Sequence, residues 1–305
     1  MTSAPPAQQL ESVHAQGQFG AARSAPGLDL RALWTLYTLT LRQYLHGKRW
    51  MMIAVLFLLP AALAVLIRAT APNAPEIFLE FLLAFLFIPQ ALLPLVALLY
   101  ASGMIQDEQE EQTITYLLIR PIPKWALYLG KLVATLTTAV ALTAFFTAIA
   151  YAAIYWGAKS PPPDVRFRCV VAVGVHSLAV IAYCCLFGLI SLFTRRTLIV
   201  GILYAAIIEG LLANLPLGVR LLTVIYYAWI IAFRTMEFIA PVPQGTQNIA
   251  AEAWRIDLQN DPQLLEHPQR LTCVIVLGAA SLFCALLAAF LCSRREFHVK
   301  TPGAN

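Results

Sequence analysis

A charged, proline-stopped stretch from Met104 to Lys131, set between two long apolar runs, holds most of the residues able to do chemistry. Asp107, Glu108, Glu110 and Glu111 open a short helical pattern in which Ile114, Leu117 and Leu118 share one face, an order that suits a helix dipole. Thr113 is placed to cap that helix and Arg120 lies near its C-terminal end, while Pro121 and Pro123 forbid continuation. The spacing therefore predicts a rigid knuckle, with Trp125 and Lys131 marking the return to apolar surroundings. Phosphate-loop chemistry is absent. Gly130-Lys131 is the one candidate, but Leu132 stands where Ser or Thr is required and Trp125 where the first glycine should be. No HExxH, GxSxG or paired metal-ligand spacing occurs, so neither catalytic residues nor a metal site is expected.

Three isolated polar residues sit inside or beside apolar runs. His176 reads as a hydrogen-bonded packing histidine and Glu80 as an interface residue at the start of a run. Glu209 is the sharper candidate, because a lone carboxylate in hydrocarbon is costly unless it is neutral, paired or facing water. It has either a pathway or conformational role, or a simple pairing, with Arg220 the nearest choice of partner. The six cysteines, Cys169, Cys184, Cys185, Cys273, Cys284 and Cys292, fall within or at the edge of apolar runs and read as small packing residues.

The elements that must position these groups are set by composition. Of 305 residues, 60% are apolar and 12% charged, and the mean hydropathy is +0.72, too little polar surface for a soluble globule. The net charge of +5 comes from basic residues flanking apolar runs rather than from a basic surface, which argues for topology and against nucleic acid. Residues 1–27 lack an apolar core and read as a disordered cytoplasmic tail. Residues 28–49 keep helical spacing at Leu30, Leu33, Trp34, Tyr37, Leu41, Tyr44 and Leu45, the pattern of an amphipathic interfacial helix. Residues 50–294 form a six-span unit, with runs at Trp50 to Ile67, Phe81 to Gln106, Leu132 to Ala158, Cys169 to Thr194, Thr197 to Leu217 and Leu271 to Ser293.

Between the fifth and sixth runs, Leu221 to Phe233 is about thirteen residues, too short for a hydrocarbon core of about 30 Å, and reads as re-entrant. It belongs to a re-entrant and external segment, residues 218–270, with a helix near Gln247 to Leu258. Residues 295–305 are a second cytoplasmic tail. Basic flanks at Lys48, Arg49, Arg120, Lys124, Lys131, Arg195, Arg196, Arg294 and Arg295 place both termini in the cytoplasm. Lys159, Arg166 and Arg168 in the third-to-fourth loop break that pattern.

The Met104–Lys131 stretch resembles the signature of type 2 ABC transporter permeases, in which an acidic run, a Gly-Thr, a Leu-Leu-x-x-Pro-Ile and a Gly-Lys follow one another between the second and third spans. Glu108, Glu110 and Glu111 stand for the acidic run and Thr113 for the threonine. Leu117-Leu118-Ile119-Arg120-Pro121-Ile122 is the turn and Gly130-Lys131 the end. Gln112 departs from the usual glycine, and Pro123-Lys124 from a Ser-Arg type pair. The resemblance implies an all-α integral membrane protein of six transmembrane helices, with an amphipathic interfacial helix, a cytoplasmic coupling helix over 107–124 and a re-entrant segment between the last two spans. It further implies a permease subunit for ATP-driven export that is not itself an enzyme. ATP and Mg would be bound by a partner ABC ATPase subunit contacted through Asp107 to Pro121. The permease would sit among the lipids of the inner (plasma) membrane and pair with itself or with a second permease. A membrane subunit that couples the ATPase to mechanical or assembly work without moving solute is the alternative.

Overall fold

The computed structural model describes residues 30–71, 74–110, 123–158, 162–194, 196–215, 218–242, 245–254, 256 and 267–294, and not the side chains of residues 48, 105–110 and 242. Helix α1 (Leu30–His46) leads into α2 (Lys48–Thr70), the first span. The second span, α3, is continuous from Glu76 to Glu110: an α-helical turn over Glu76–Glu80, a π-helical stretch over Phe81–Leu92 and α-helix again over Leu93–Glu110. Helices α4 (Lys124–Tyr155) and α5 (Val165–Phe193) are the third and fourth spans. The fifth, α6, is α-helical over Thr197–Tyr204, π-helical over Ala205–Leu211 and ends in a 3-10 turn at Leu212–Asn214. The sixth, α9, is Arg270–Arg294.

Among the described residues six helices are long and apolar enough to cross a membrane, as the apolar runs predict. Three begin four or more residues earlier than expected. The second starts at Glu76 rather than Phe81. The third starts at Lys124 rather than Leu132, because Lys131 is not a boundary residue at all but is 5% exposed inside the bundle. The fourth starts at Val165, which puts Arg166 and Arg168 on the helix instead of in a loop.

The segment between the last two spans is a 3-10 turn over Gly218–Leu222, the short helix α7 (Val224–Thr235), strands β1 (Ile239–Val242) and β2 (Gly245–Asn248), and helix α8 (Ile249–Trp254). At twelve residues, α7 rises about 18 Å and is too short to cross. The two strands pair antiparallel, Ile239 with Asn248 and Val242 with Gly245, a small hairpin where only a helix was expected. Gly245 closes the hairpin with φ of 135°, a backbone region that favours glycine. Asn248 then accepts from the Ala250 and Ala251 amides through its side chain and opens α8.

The core lies among α3, α4, α5 and α7. Phe81, Phe85, Phe238, Trp229 and Trp254 stack there, the two tryptophan rings 5.4 Å apart and nearly parallel. The second and fourth spans are buried over 61% and 56% of their apolar stretches, while the first, fifth and sixth reach only 28%, 22% and 22%. Those three outer spans therefore offer the surface toward lipid or another chain, whereas spans two to four form the body of the molecule.

Candidate coupling site and buried polar clusters

The second span's helix runs on to Glu110, so Asp107, Glu108 and Glu110 lie on its last turns rather than at the opening of a separate helix. Nothing between Tyr100 and Glu110 is strong enough to stop a helix: Gly103 is its one glycine and there is no proline. Glu111, Thr113, Leu117, Leu118, Arg120 and Pro121 fall outside the described residues. The start of the third span is anchored tightly. Pro123 precedes the first turn of α4 in extended geometry, and the Lys131 ammonium donates to the Met104 carbonyl at 3.1 Å. The third span thus holds the second by a charged donor on a backbone acceptor at the end that carries the acidic turns.

Around that contact Met104, Tyr128, Leu132, Cys185, Leu192, Ala288 and Cys292 make a compact apolar cluster from four spans. Gly188 permits it, since a Cβ there would lie 2.8 Å from the Tyr128 hydroxyl. Gly130 does the same for α1: a Cβ would come within 3.3 Å of Leu36. Leu36, Thr40 and Tyr44 face inward, and the Tyr44 hydroxyl meets Thr135 at 3.1 Å. Leu30, Trp34, Leu39 and Leu45 remain exposed, so α1 has one face on the third span and leaves large apolar side chains uncovered.

Midway along the bundle His176 is wholly buried. Its Nδ1 pairs with Thr147 at 3.0 Å and its ring packs against Phe85, the role expected from sequence.

Glu209 sits in the π-helical part of the fifth span and is fully buried. Its two carboxylate oxygens accept from the Val224 and Ile225 amides, each at 3.0 Å, and Oε1 also accepts from the Tyr204 hydroxyl at 3.0 Å. Tyr183 lies beside it. Glu209 therefore caps α7 from another helix, placing its charge on the positive end of a helix dipole. Arg220, considered as its partner, is buried with its guanidinium 4.8 Å above the Tyr226 ring. After the 3-10 turn over Gly218–Leu222, α7 begins beside Glu209.

The largest departure from sequence expectation is at the opposite end. Glu80, read as an interface residue at the start of a run, is wholly buried among the helices. Arg168 Nε lies 3.0 and 2.9 Å from its two oxygens, and the hydroxyls of Tyr151 and Tyr155 donate one to each at 2.7 Å. Arg168 also donates to the Glu237 carbonyl at 3.0 Å and covers the Phe238 ring at 5.3 Å. Four segments are thereby tied together: the starts of α3 and α5, the end of α4 and the two residues, Glu237 and Phe238, that lead into β1. A signal was present: two tyrosines four residues apart closing one run and an arginine one turn into the next share a depth with Glu80. Among the described residues no cluster of His, Cys, Asp or Glu is arranged to hold a metal ion.

A six-helix membrane bundle, with a helix on one side and a short capped helix plus hairpin on the other, is the class that fold and clusters define. Residues 12–249 match the ABC-2 family transporter protein family, and the chain belongs to that family. It is a multi-pass membrane component of an ABC transporter, whose family works with an ABC ATPase subunit. No curated protein matches the chain.

Proposed function

We propose that this chain is the permease subunit for ATP-driven export, acting as a dimer, with ATP and Mg bound by a separate ATPase that docks on the acidic segment Asp107 to Pro121. The observation that carries this reading is the position of Asp107, Glu108 and Glu110 on the last turns of the second span, the most buried helix of the bundle. A push there is delivered to the core, because Lys131 and the cluster around Tyr128 join that end to three neighbouring spans. Basic residues at Arg196 and Arg294, on the same side, support a cytoplasmic location for that end and both termini in an inner (plasma) membrane. One observation favours the mechanical alternative: the far end of spans two to four is closed by the Glu80–Arg168 cluster beneath the hairpin.

Replacing Glu108, Glu110 and Glu111 together by Ala tests the docking. Membrane insertion should be unchanged while recovery of the ATPase subunit on copurification falls, together with stimulated hydrolysis. Unchanged recovery and hydrolysis would remove the acidic run from the interface. Vesicles carrying the intact complex then separate export from mechanical work: ATP-dependent loss of amphipathic solutes from the cytoplasmic side supports the first.

A further inference from the structure

The short helix α7 touches the two π-helical stretches found among the described residues, and it touches each through a polar bond. Its first amides are capped by Glu209, within the π-helical turn of the fifth span. One face further on, Trp229 Nε1 donates to the Phe85 carbonyl at 3.3 Å, within the π-helical stretch of the second span. π-Helical turns are rare in proteins and concentrate where a helix changes register at a functional site. Both are unambiguous in their bonding: the Leu93 amide reaches back to Ile88 and the Leu212 amide to Ile207, each five residues.

Pro89 gives the second span two competing registers. Lacking an N–H, it leaves the Phe85 carbonyl without a donor in an α-helical ladder and the Ala84 carbonyl without one in a π-helical ladder. Both carbonyls are buried at membrane depth, where an unsatisfied backbone group is costly. Trp229 supplies a donor to Phe85. His176 stands beside Ala84 with its Nε2 short of hydrogen-bond geometry. Each carbonyl that one of the two ladders would orphan thus has a ring nitrogen from another helix next to it.

We propose that α7 is a strut linking the two π-helical turns, and that Glu209 and Trp229 are positioning residues through which its movement switches the register of the second span. Passing one residue between π and α turns the two halves of a helix by about 100° relative to each other. The half below Phe81–Leu92 bears Asp107, Glu108 and Glu110, and the half above it is pinned by Glu80 to Arg168. A register change therefore rotates the acidic end while the far end stays fixed. This inference rests on the reading of that acidic end as the ATPase dock.

The test uses the complete permease–ATPase complex in nanodiscs, with spin labels introduced as unnatural amino acids so that the native cysteines remain. Labels at positions 109 and 290 report the near side, and labels at positions 78 and 271 the far side; Phe78, Leu271 and Phe290 are exposed. Labelled permease is diluted with unlabelled permease so that distances are read within one chain. Trapping with ATP and vanadate should shift the near-side distance by up to about 8 Å, the chord of a 100° turn on a helix about 11 Å wide, with the far-side distance steady. Trp229→Phe keeps the ring against Trp254 but lacks the donor, and should cut the shift to below half while ATP is still hydrolysed. Glu209→Gln decides by the same criterion if Trp229→Phe yields no monodisperse complex. A complex that hydrolyses ATP with a motionless near-side label, or with an equal shift in the variant, overturns this inference alone. A wild-type permease that retains no ATPase on purification overturns the docking reading and this inference with it.

Discussion

Arg168 and Glu80 meet as a buried ion pair at 2.9 Å, on helices that the sequence places 88 residues apart. The pair is completed by two tyrosine hydroxyls, so the carboxylate has donors on both oxygens. We predict that Glu80→Ala lowers thermal stability in detergent by about 3–5 kcal/mol, since it strands a buried guanidinium. Arg168→Ala should cost less, because Tyr151 and Tyr155 still serve the carboxylate. The double variant should lose less than the sum, and strictly additive losses in the double-mutant cycle would show that the pair carries no mutual stabilisation.

Glu209→Leu should destabilise the protein rather than relieve it. The carboxylate accepts two buried amide bonds at the start of α7, and bonds to a charged group contribute about 1.5–3 kcal/mol each. Glu209→Gln keeps an acceptor for one of them and should fall between. A more stable Leu variant in a thermal-shift measurement would refute the capping role.

Gly188→Ala should destabilise by about 1–3 kcal/mol through overpacking against the Tyr128 hydroxyl. That hydroxyl is buried and has no hydrogen-bond partner among the described residues, so Tyr128→Phe should be neutral or mildly stabilising and should rescue Gly188→Ala. Failure of rescue in the double variant would place the clash elsewhere.

Topology can be read by thiol labelling in intact cells. Cysteines at positions 196 and 247 both replace exposed side chains, whereas Ala250, close to position 247, is fully buried and would be silent on either side. An impermeant reagent should label position 247 and spare position 196. The reverse pattern would invert the orientation.

The spans were legible because an apolar run of eighteen or more residues with at most one charge has few alternatives, and the short α7 was legible because twelve do not suffice. What escaped was pairing between runs. Arg168 looked like a loop charge of the wrong sign because its partner lies in another span, and Lys131 looked like a boundary because its acceptor is a backbone carbonyl, which every sequence position supplies alike. The hairpin escaped for a related reason. Pro241 lies within β1 and argues against a strand unless it is an edge, and both strands of a two-stranded sheet are edges. Of the candidate site, the acidic turns were legible as a charged break, but their continuity with the second span was not, since the charges begin where the helix still has backbone bonds to make.

The far-end ion pair also bears on how the chain is made. Spans leave the translocon in order, so Glu80 enters the membrane with the second span before Arg168 has been synthesised. A carboxylate at the centre of a lone helix costs about 2.5–3.5 kcal/mol on insertion scales, less toward the interface, and Glu80 lies only four residues after Glu76, where its helix begins. Tyr151 and Tyr155 arrive first, at the end of the third span, and give the carboxylate two donors. Arg168 follows and replaces a half-satisfied intermediate with a neutral, closed pair. The order of residues along the chain is thus also an order of assembly, in which each new span relieves the burden left by the one before.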